Sequence, residues 1–272
     1  MNCHVQKGSI YYEIAGEGFP LLILHAMGTD HRSMKAWMEP IFEQLSGFQR
    51  VYIDLPAHGK STITDTFRST DDSVQNLLDF VNQTFDQKSF ALVGSSYGGY
   101  LAQGIMHSLP DRAKGICLLA PAVHKRKFPA PEKVFLERED EWSEGVDEDI
   151  KAAMETLMIR LTKKNLTHFL DEIQPGRELA NREFLLSDWR KEGYFLREEP
   201  FSTQALWTQP ALFLLGEKDA VAGWKNQLQL IDKFPNATYA LLEDAGHMLQ
   251  IDKRELVQSL VEDWLVRLLK VI

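Results

Sequence analysis

An α/β fold, with a mostly parallel, doubly wound sheet and a helical insertion, is predicted by three features of this sequence. Short apolar runs alternate with amphipathic stretches through the first 123 residues. Between residues 124 and 207 the alternation stops, and the chain is helical in pattern, charged and rich in aromatics, with no clear strand. From residue 208 onward the alternation resumes. Strand–helix alternation of this kind makes a parallel sheet covered by helices on both faces. The expected organisation is a core of residues 1–123 and 208–272 carrying a helical cap of residues 124–207.

Each element has a local cause. Val5 and Ile10 to Ile14 read as extended segments joined at Lys7-Gly8, so a hairpin is expected. Pro20 to His25, Arg50 to Leu55, Phe90 to Val93, Gly115 to Ala120 and Ala211 to Leu215 are short apolar runs typical of strands buried on both faces. Thr238 to Leu242 is a further strand. Met34, Trp37, Ile41, Phe42 and Leu45 fall three and four residues apart, the spacing of one helical face. Further helices are expected at Asp72 to Phe85, Tyr100 to Leu109, Trp224 to Phe234 and Lys253 to Leu269.

Composition narrows the function. With 272 residues, of which 44% are hydrophobic, the chain can bury a large core. A net charge of -9 repels nucleic acid and anionic membranes, although a pocket's field is local and does not forbid an anionic substrate. Lys125-Arg126-Lys127 is the basic exception and reads as a solvated turn. Two cysteines, Cys3 and Cys117, make no disulfide framework. The N-terminus lacks an apolar signal core, and the run Phe19 to Met27 is far shorter than the roughly 20 residues that span a bilayer. The expectation is a cytoplasmic protein acting on a small molecule, with no nucleic-acid or membrane partner.

Gly94-Ser95-Ser96-Tyr97-Gly98 carries the chemistry. It matches G-x-S-x-G between a buried strand and a helix. Glycines two positions either side let Ser96 occupy a sharp strained turn. Ser95 would need glycine at Val93 and Tyr97, so only Ser96 fits. The turn also aims a helix N-terminus at the reacting centre, which favours negative charge there.

A serine needs a base, and the base needs an orienting acid. His247 follows the strand Thr238 to Leu242 through Glu243-Asp244-Ala245-Gly246, so it lies past a strand's carboxyl end, where catalytic groups of open sheets gather. His107, His124 and His168 read as structural, and His4 and His31 have no partner pattern. Asp219 lies past the strand Ala211 to Leu215 and is the leading acid. Glu217 and Asp244 stand behind it, the latter close to His247 along the chain.

With these motifs in order, the sequence resembles the α/β-hydrolase superfamily over nearly its whole length. Ser96, Asp219 and His247 follow that family's order of nucleophile, acid and histidine. His25-Ala26-Met27-Gly28 is similar to its H-G-x-G oxyanion loop, and Asp54-Leu55-Pro56-Ala57-His58-Gly59-Lys60-Ser61 to its D-x-x-G-x-G-x-S segment. The resemblance implies an oxyanion hole made of the Met27 and Tyr97 backbone N–H groups, worth roughly 3 kcal/mol per donor. His25 and His58 match positions that are structural in the family. Ala26 and Ala57 replace glycines, which are favoured at positive φ, so Ala26 bears on the shape of the loop. The insertion sits where the family has its cap.

Twelve aromatic and methionine residues lie in the insertion, from Phe128 to Trp207. Two-thirds are expected to form a small core of their own, and a minority to line a mainly apolar pocket with Met27 and Tyr97. An esterase-type serine hydrolase follows, acting through an acyl-enzyme on a small or medium, mainly apolar ester-type substrate. Carbon–carbon hydrolase, amidase or peptidase, lactonase and cofactor-free haloperoxidase share the same parts. A non-hydrolytic receptor on this fold is the alternative from another class. Aspartate, the dehalogenase nucleophile, is absent at Ser96. No metal cluster or dinucleotide fingerprint is visible, so neither metal nor cofactor is expected. Activity should decline below about pH 6 to 7, near the reference histidine pKa.

Overall fold

A computed structural model describes residues 1–203 and 205–272. Gln204, inside the predicted insertion, lies outside the described residues. The strands are β1 (Asn2–Val5), β2 (Gly8–Ala15), β3 (Phe19–Leu24), β4 (Phe48–Ile53), β5 (Thr62–Ile63), β6 (Phe90–Ser95), β7 (Ala113–Leu119), β8 (Glu137–Arg138), β9 (Arg160–Leu161), β10 (Ala211–Gly216) and β11 (Ala237–Leu242). The main sheet runs β1-β2-β4-β3-β6-β7-β10-β11, with β5 pairing β2. From β4 to β11 every pairing is parallel, and β1, β2 and β5 pair antiparallel. The doubly wound sheet expected from the alternation is thus present.

Alternate residues of the strands face opposite layers. Leu22, Leu24, Val51, Ile53 and Leu92 pack against α2 (Thr70–Phe85) and α3 (Tyr97–Ser108). Leu21, Ile23, Tyr52, Ala91 and Val93 pack against α1 (His31–Met38) and the C-terminal helix Arg254–Leu269. Helix α2 starts two residues before the expected Asp72, because Ser69 caps it and Asp72 closes the capping box. The expected helix through Leu45 stops at Met38, and Pro40 lies in a 3-10 turn, Glu39–Glu43. The helix expected to run from Trp224 to Phe234 is one turn, Trp224–Gln227, followed by a 3-10 segment.

Strand order locates the crevice. The chain passes from β3 outward to β4, then back across β3 to β6 on the other side. Winding therefore reverses between β3 and β6. In an open parallel sheet, the loops after the two strands at such a reversal splay apart and leave a crevice.

The stretch 124–207 corrects two expectations. It contains strands after all: β8 and β9 form a two-residue parallel ladder. It also does not bury most of its aromatics in itself. Trp142, Met154, Met158 and Phe169 form a cluster with Ile173 and with Met248 and Ile251 from beyond β11. Trp189, Phe201 and Trp207 join the main core on the α2 and α3 face, while Phe128, Phe135 and Phe195 are exposed. The reason is topological. The chain leaves the carboxyl end of β7 and must return to the start of β10, so its last part runs down the sheet face where a crossover helix would lie. Among the described residues, no helix is long and apolar enough to cross a membrane.

Candidate active site

Ser96 follows β6 with φ 50° and ψ -115°, a positive-φ conformation that costs a non-glycine residue about 1–3 kcal/mol. The surroundings hold it there. Its N–H donates to the Leu119 carbonyl (2.9 Å), and its own carbonyl accepts from Tyr100 (3.1 Å) and Ala122 (3.0 Å). A Cβ on Gly98 would stand 2.4 Å from the His25 carbonyl oxygen and 2.5 Å from that of Leu24, so only glycine lets α3 start against the end of β3. The Ser96 side chain makes no capping bond to its own helix, which leaves Oγ for another partner.

That partner is His247, whose Nε2 lies 3.0 Å from Ser96 Oγ. Its Nδ1 lies 3.0 and 3.1 Å from the two Asp219 oxygens. A carboxylate can only accept, so the proton sits on Nδ1 and Nε2 is left to accept the serine O–H. Asp219 is fully buried. Burial alone would raise its pKa, but His247 and the Val221 and Ala222 N–H groups, each 2.9 Å from Oδ1, outweigh it and hold the carboxyl below its ordinary value. The loops bearing Asp219 and His247 touch at Gly216, where a Cβ would lie 2.2 Å from the Gly246 carbonyl oxygen.

Facing Ser96, the loop after β3 is set by His25. Its buried Nε2 accepts the Leu55 N–H (2.9 Å), so the proton is on Nδ1 and donates to the Ala26 carbonyl (2.8 Å). Thr29 donates to the same carbonyl through its hydroxyl (2.8 Å) and its N–H (3.3 Å). In a trans peptide the N–H points opposite to the C=O. Pinning the Ala26 carbonyl therefore turns the Met27 N–H the other way. The left-handed residues here are Gly28 (φ 75°) and, in the next loop, Ala57 (φ 65°); Ala26 is not among them, so its Cβ is compatible with the loop. Tyr97 opens α3, where a first-turn N–H has no intrahelical acceptor. Its hydroxyl is tied 3.2 Å from both Thr70 and Ser73.

A cavity of about 470 Å³ joins these parts, bordered by Met27, Ser96, Tyr97, Tyr194, His247 and Met248 among others. Two cations also border it, Arg126 and Arg190. Sequence reading missed both as pocket residues. Arg126 belongs to the exposed basic run, which gave a signal of charge but not of direction.

The other histidines lie elsewhere. His31, expected to lack a partner, is buried with Nδ1 2.7 Å from Asp54 Oδ1 and Nε2 3.2 Å from Glu13. Asp30, His31 and Asp54 come within 4.8 Å of one another. Their oxygens already serve Arg32, His31 and Lys60, so the cluster braces the loop instead of offering free ligands. Asp244, an acid ranked behind Asp219, pairs with Arg160 and Lys253.

Residues 20–254 match the family model described as alpha/beta hydrolase fold. A hydrolase of (E)-2-((N-methylformamido)methylene)succinate from Acinetobacter baylyi is 25% identical over 94% of this chain and 93% of its own length. A pimeloyl-(acyl-carrier protein) methyl ester esterase from Legionella pneumophila is 25% identical over 97% of this chain and all (100%) of its own. The crystal structure of an alpha/beta superfamily hydrolase from Oenococcus oeni superposes with a TM-score of 0.82, covering 98% of this chain and 99% of that one at 24% identity. With the family model matched from β3 to the C-terminal helix, the chain belongs to the alpha/beta hydrolase fold family.

Proposed function

We propose that this protein is a serine hydrolase that cleaves a small or medium ester through a Ser96–His247–Asp219 triad. One observation carries the reading: an unbroken hydrogen-bond relay from the buried Asp219 through His247 to Ser96 Oγ, opening on a cavity. Ser96 attacks the carbonyl carbon as His247 Nε2 takes its proton. Asp219 keeps the ring in the required tautomer and stabilises its charged form. The N–H groups of Met27 and Tyr97 receive the oxyanion. His247 then protonates the departing alkoxide and activates the water that releases the acyl group.

The relatives support the same class, since one is named a methyl ester esterase and another a hydrolase. Residues 124–207 act as the cap, shielding the serine from bulk water. Two free thiols, Cys3 and the buried Cys117, fit a cytoplasmic setting. The test is labelling by a fluorophosphonate probe, followed by p-nitrophenyl esters of increasing chain length. Labelling and turnover, both lost in Ser96→Ala, are expected. A folded wild type that neither labels nor turns over any ester would overturn the reading.

A further inference from the structure

The cavity beside Ser96 holds charge of one sign only. Its border includes Arg126 and Arg190 and no Asp or Glu, in a chain whose net charge is -9. Neighbouring arginines behave differently. Arg177 and Arg182, behind Arg190, both pair with Asp149, at 3.0 and 3.1 Å. Arg126 and Arg190 pair with no carboxylate among the described residues. Arg190 donates Nε to the Leu185 carbonyl (3.3 Å) and lays Nη2 2.8 Å from the Met27 sulfur, a weak acceptor, so most of its five N–H donors are open.

Both arginines border one space. Tyr194 also borders the cavity, and its ring packs on Tyr97 with centroids 5.8 Å apart. Burial raises the pKa of its phenol, while the positive charges of Arg126 and Arg190 both pull it down. They come from opposite ends of the insertion, one following β7 and the other on the turn Trp189–Glu192.

We infer that Arg126 and Arg190 form an anion subsite, and that the substrate carries an acidic oxygen group, such as a carboxylate, besides its scissile carbonyl. This rests on the serine hydrolase reading for its choice of substrate but not for its binding. Guanidinium forks take planar anions through paired hydrogen bonds. Because Arg190 lies over Met27, the anion sits near the reacting carbonyl, at the distance of a short chain.

The test uses three p-nitrophenyl esters of the same acyl length: adipate with a free carboxylate end, adipate with a methyl-capped end, and 6-aminohexanoate. The expected order of kcat/KM is carboxylate, then methyl-capped, then ammonium, with at least about tenfold between the first two, the scale of one charge-assisted hydrogen bond. That ratio should shrink with added salt and approach one in Arg126→Gln/Arg190→Gln. A phosphonate-ended ester outrunning the carboxylate would support the subsite and assign it to phosphate-like anions. Equal rates for free and capped esters, or a preference that survives in the double variant, overturn the inference while leaving the hydrolase reading intact. If no ester is turned over, calorimetry of monomethyl adipate with Ser96→Ala decides it: binding that disappears in the double arginine variant supports the subsite, and no binding overturns it.

Discussion

The Asp252 carboxylate accepts the N–H of Gly246, the residue before His247, at 2.9 Å. Its side chain is fully shielded, and its other oxygen has no hydrogen bond, because the nearest cation, Arg160 Nη1, stands 3.8 Å away. Burial with incomplete pairing pushes its pKa up to about 6. The folded state thus holds this proton more tightly than the unfolded chain, so the contribution to stability is greatest in acid and is lost as pH rises from about 4 through 6. The loss is on the order of 3 kcal/mol. Asp252→Asn keeps an acceptor for Gly246 and should remove that slope, giving a higher urea midpoint than wild type at pH 8 but not at pH 4. Parallel pH profiles for the two proteins would rule this out. Asp252→Ala, which strands the Gly246 N–H, should lower kcat by about tenfold with little change in KM.

A second pH dependence runs the opposite way. His58 donates Nδ1–H to the Pro56 carbonyl (2.8 Å), while its Nε2 is buried without a partner among the described residues. Burial, with His25 beside it at 5.2 Å between ring centroids, lowers its pKa to about 3. Unfolding frees it to protonate near 6.5. Stability should therefore fall as pH drops from about 6.5 towards 3, by up to 4–5 kcal/mol on the order-of-magnitude scale. Between pH 4 and 6 this opposes the Asp252 effect. His58→Gln should flatten the acid limb in urea titrations; an unchanged limb would point to other groups.

Asp219→Asn should leave the fold intact yet reduce kcat by about 10³–10⁴, since an amide can favour the wrong histidine tautomer. Ser96→Ala and His247→Ala should each abolish most turnover, and the double variant should be no worse than either single one. Additive losses in that cycle would argue that the two residues do not act as a unit.

Gly98→Ala tests the packing under the elbow. The added methyl would meet carbonyl oxygens of residues 24 and 25, which belong to a central strand and its loop and cannot swing aside. Destabilisation of about 2–3 kcal/mol is expected, with loss of fluorophosphonate labelling beyond what stability explains. Normal labelling with a normal melting temperature would mean that the contact is relieved cheaply.

What could be read from the residues follows distance along the chain. The Gly94–Ser96–Gly98 turn is local, with its strand and helix adjacent, so five residues define it. Asp219 and His247 were legible because each follows an apolar strand that sets its height in the sheet. The bend at Pro40 was also there to read, but the apolar spacing through Leu45 masked it. By contrast, β8 and β9 are two residues each and carry no period. His31 found its partners Asp54 and Glu13 only through the pairing of distant strands. Arg126 and Arg190 border one cavity only through the folding of the insertion, and Asp252 acts through one backbone N–H that no spacing rule marks.

Trp189 sits at the join between insertion and core, edge-on to Tyr97 at 5.9 Å and to Tyr194 at 5.7 Å. Its indole shares neither the solvent nor the chemistry of the cavity, yet both tyrosines it touches border that space. The molecule therefore carries its own optical gauge. A ligand that displaces either phenol ring changes the surroundings of one tryptophan without changing bulk exposure, so occupancy can be followed by emission with no label attached.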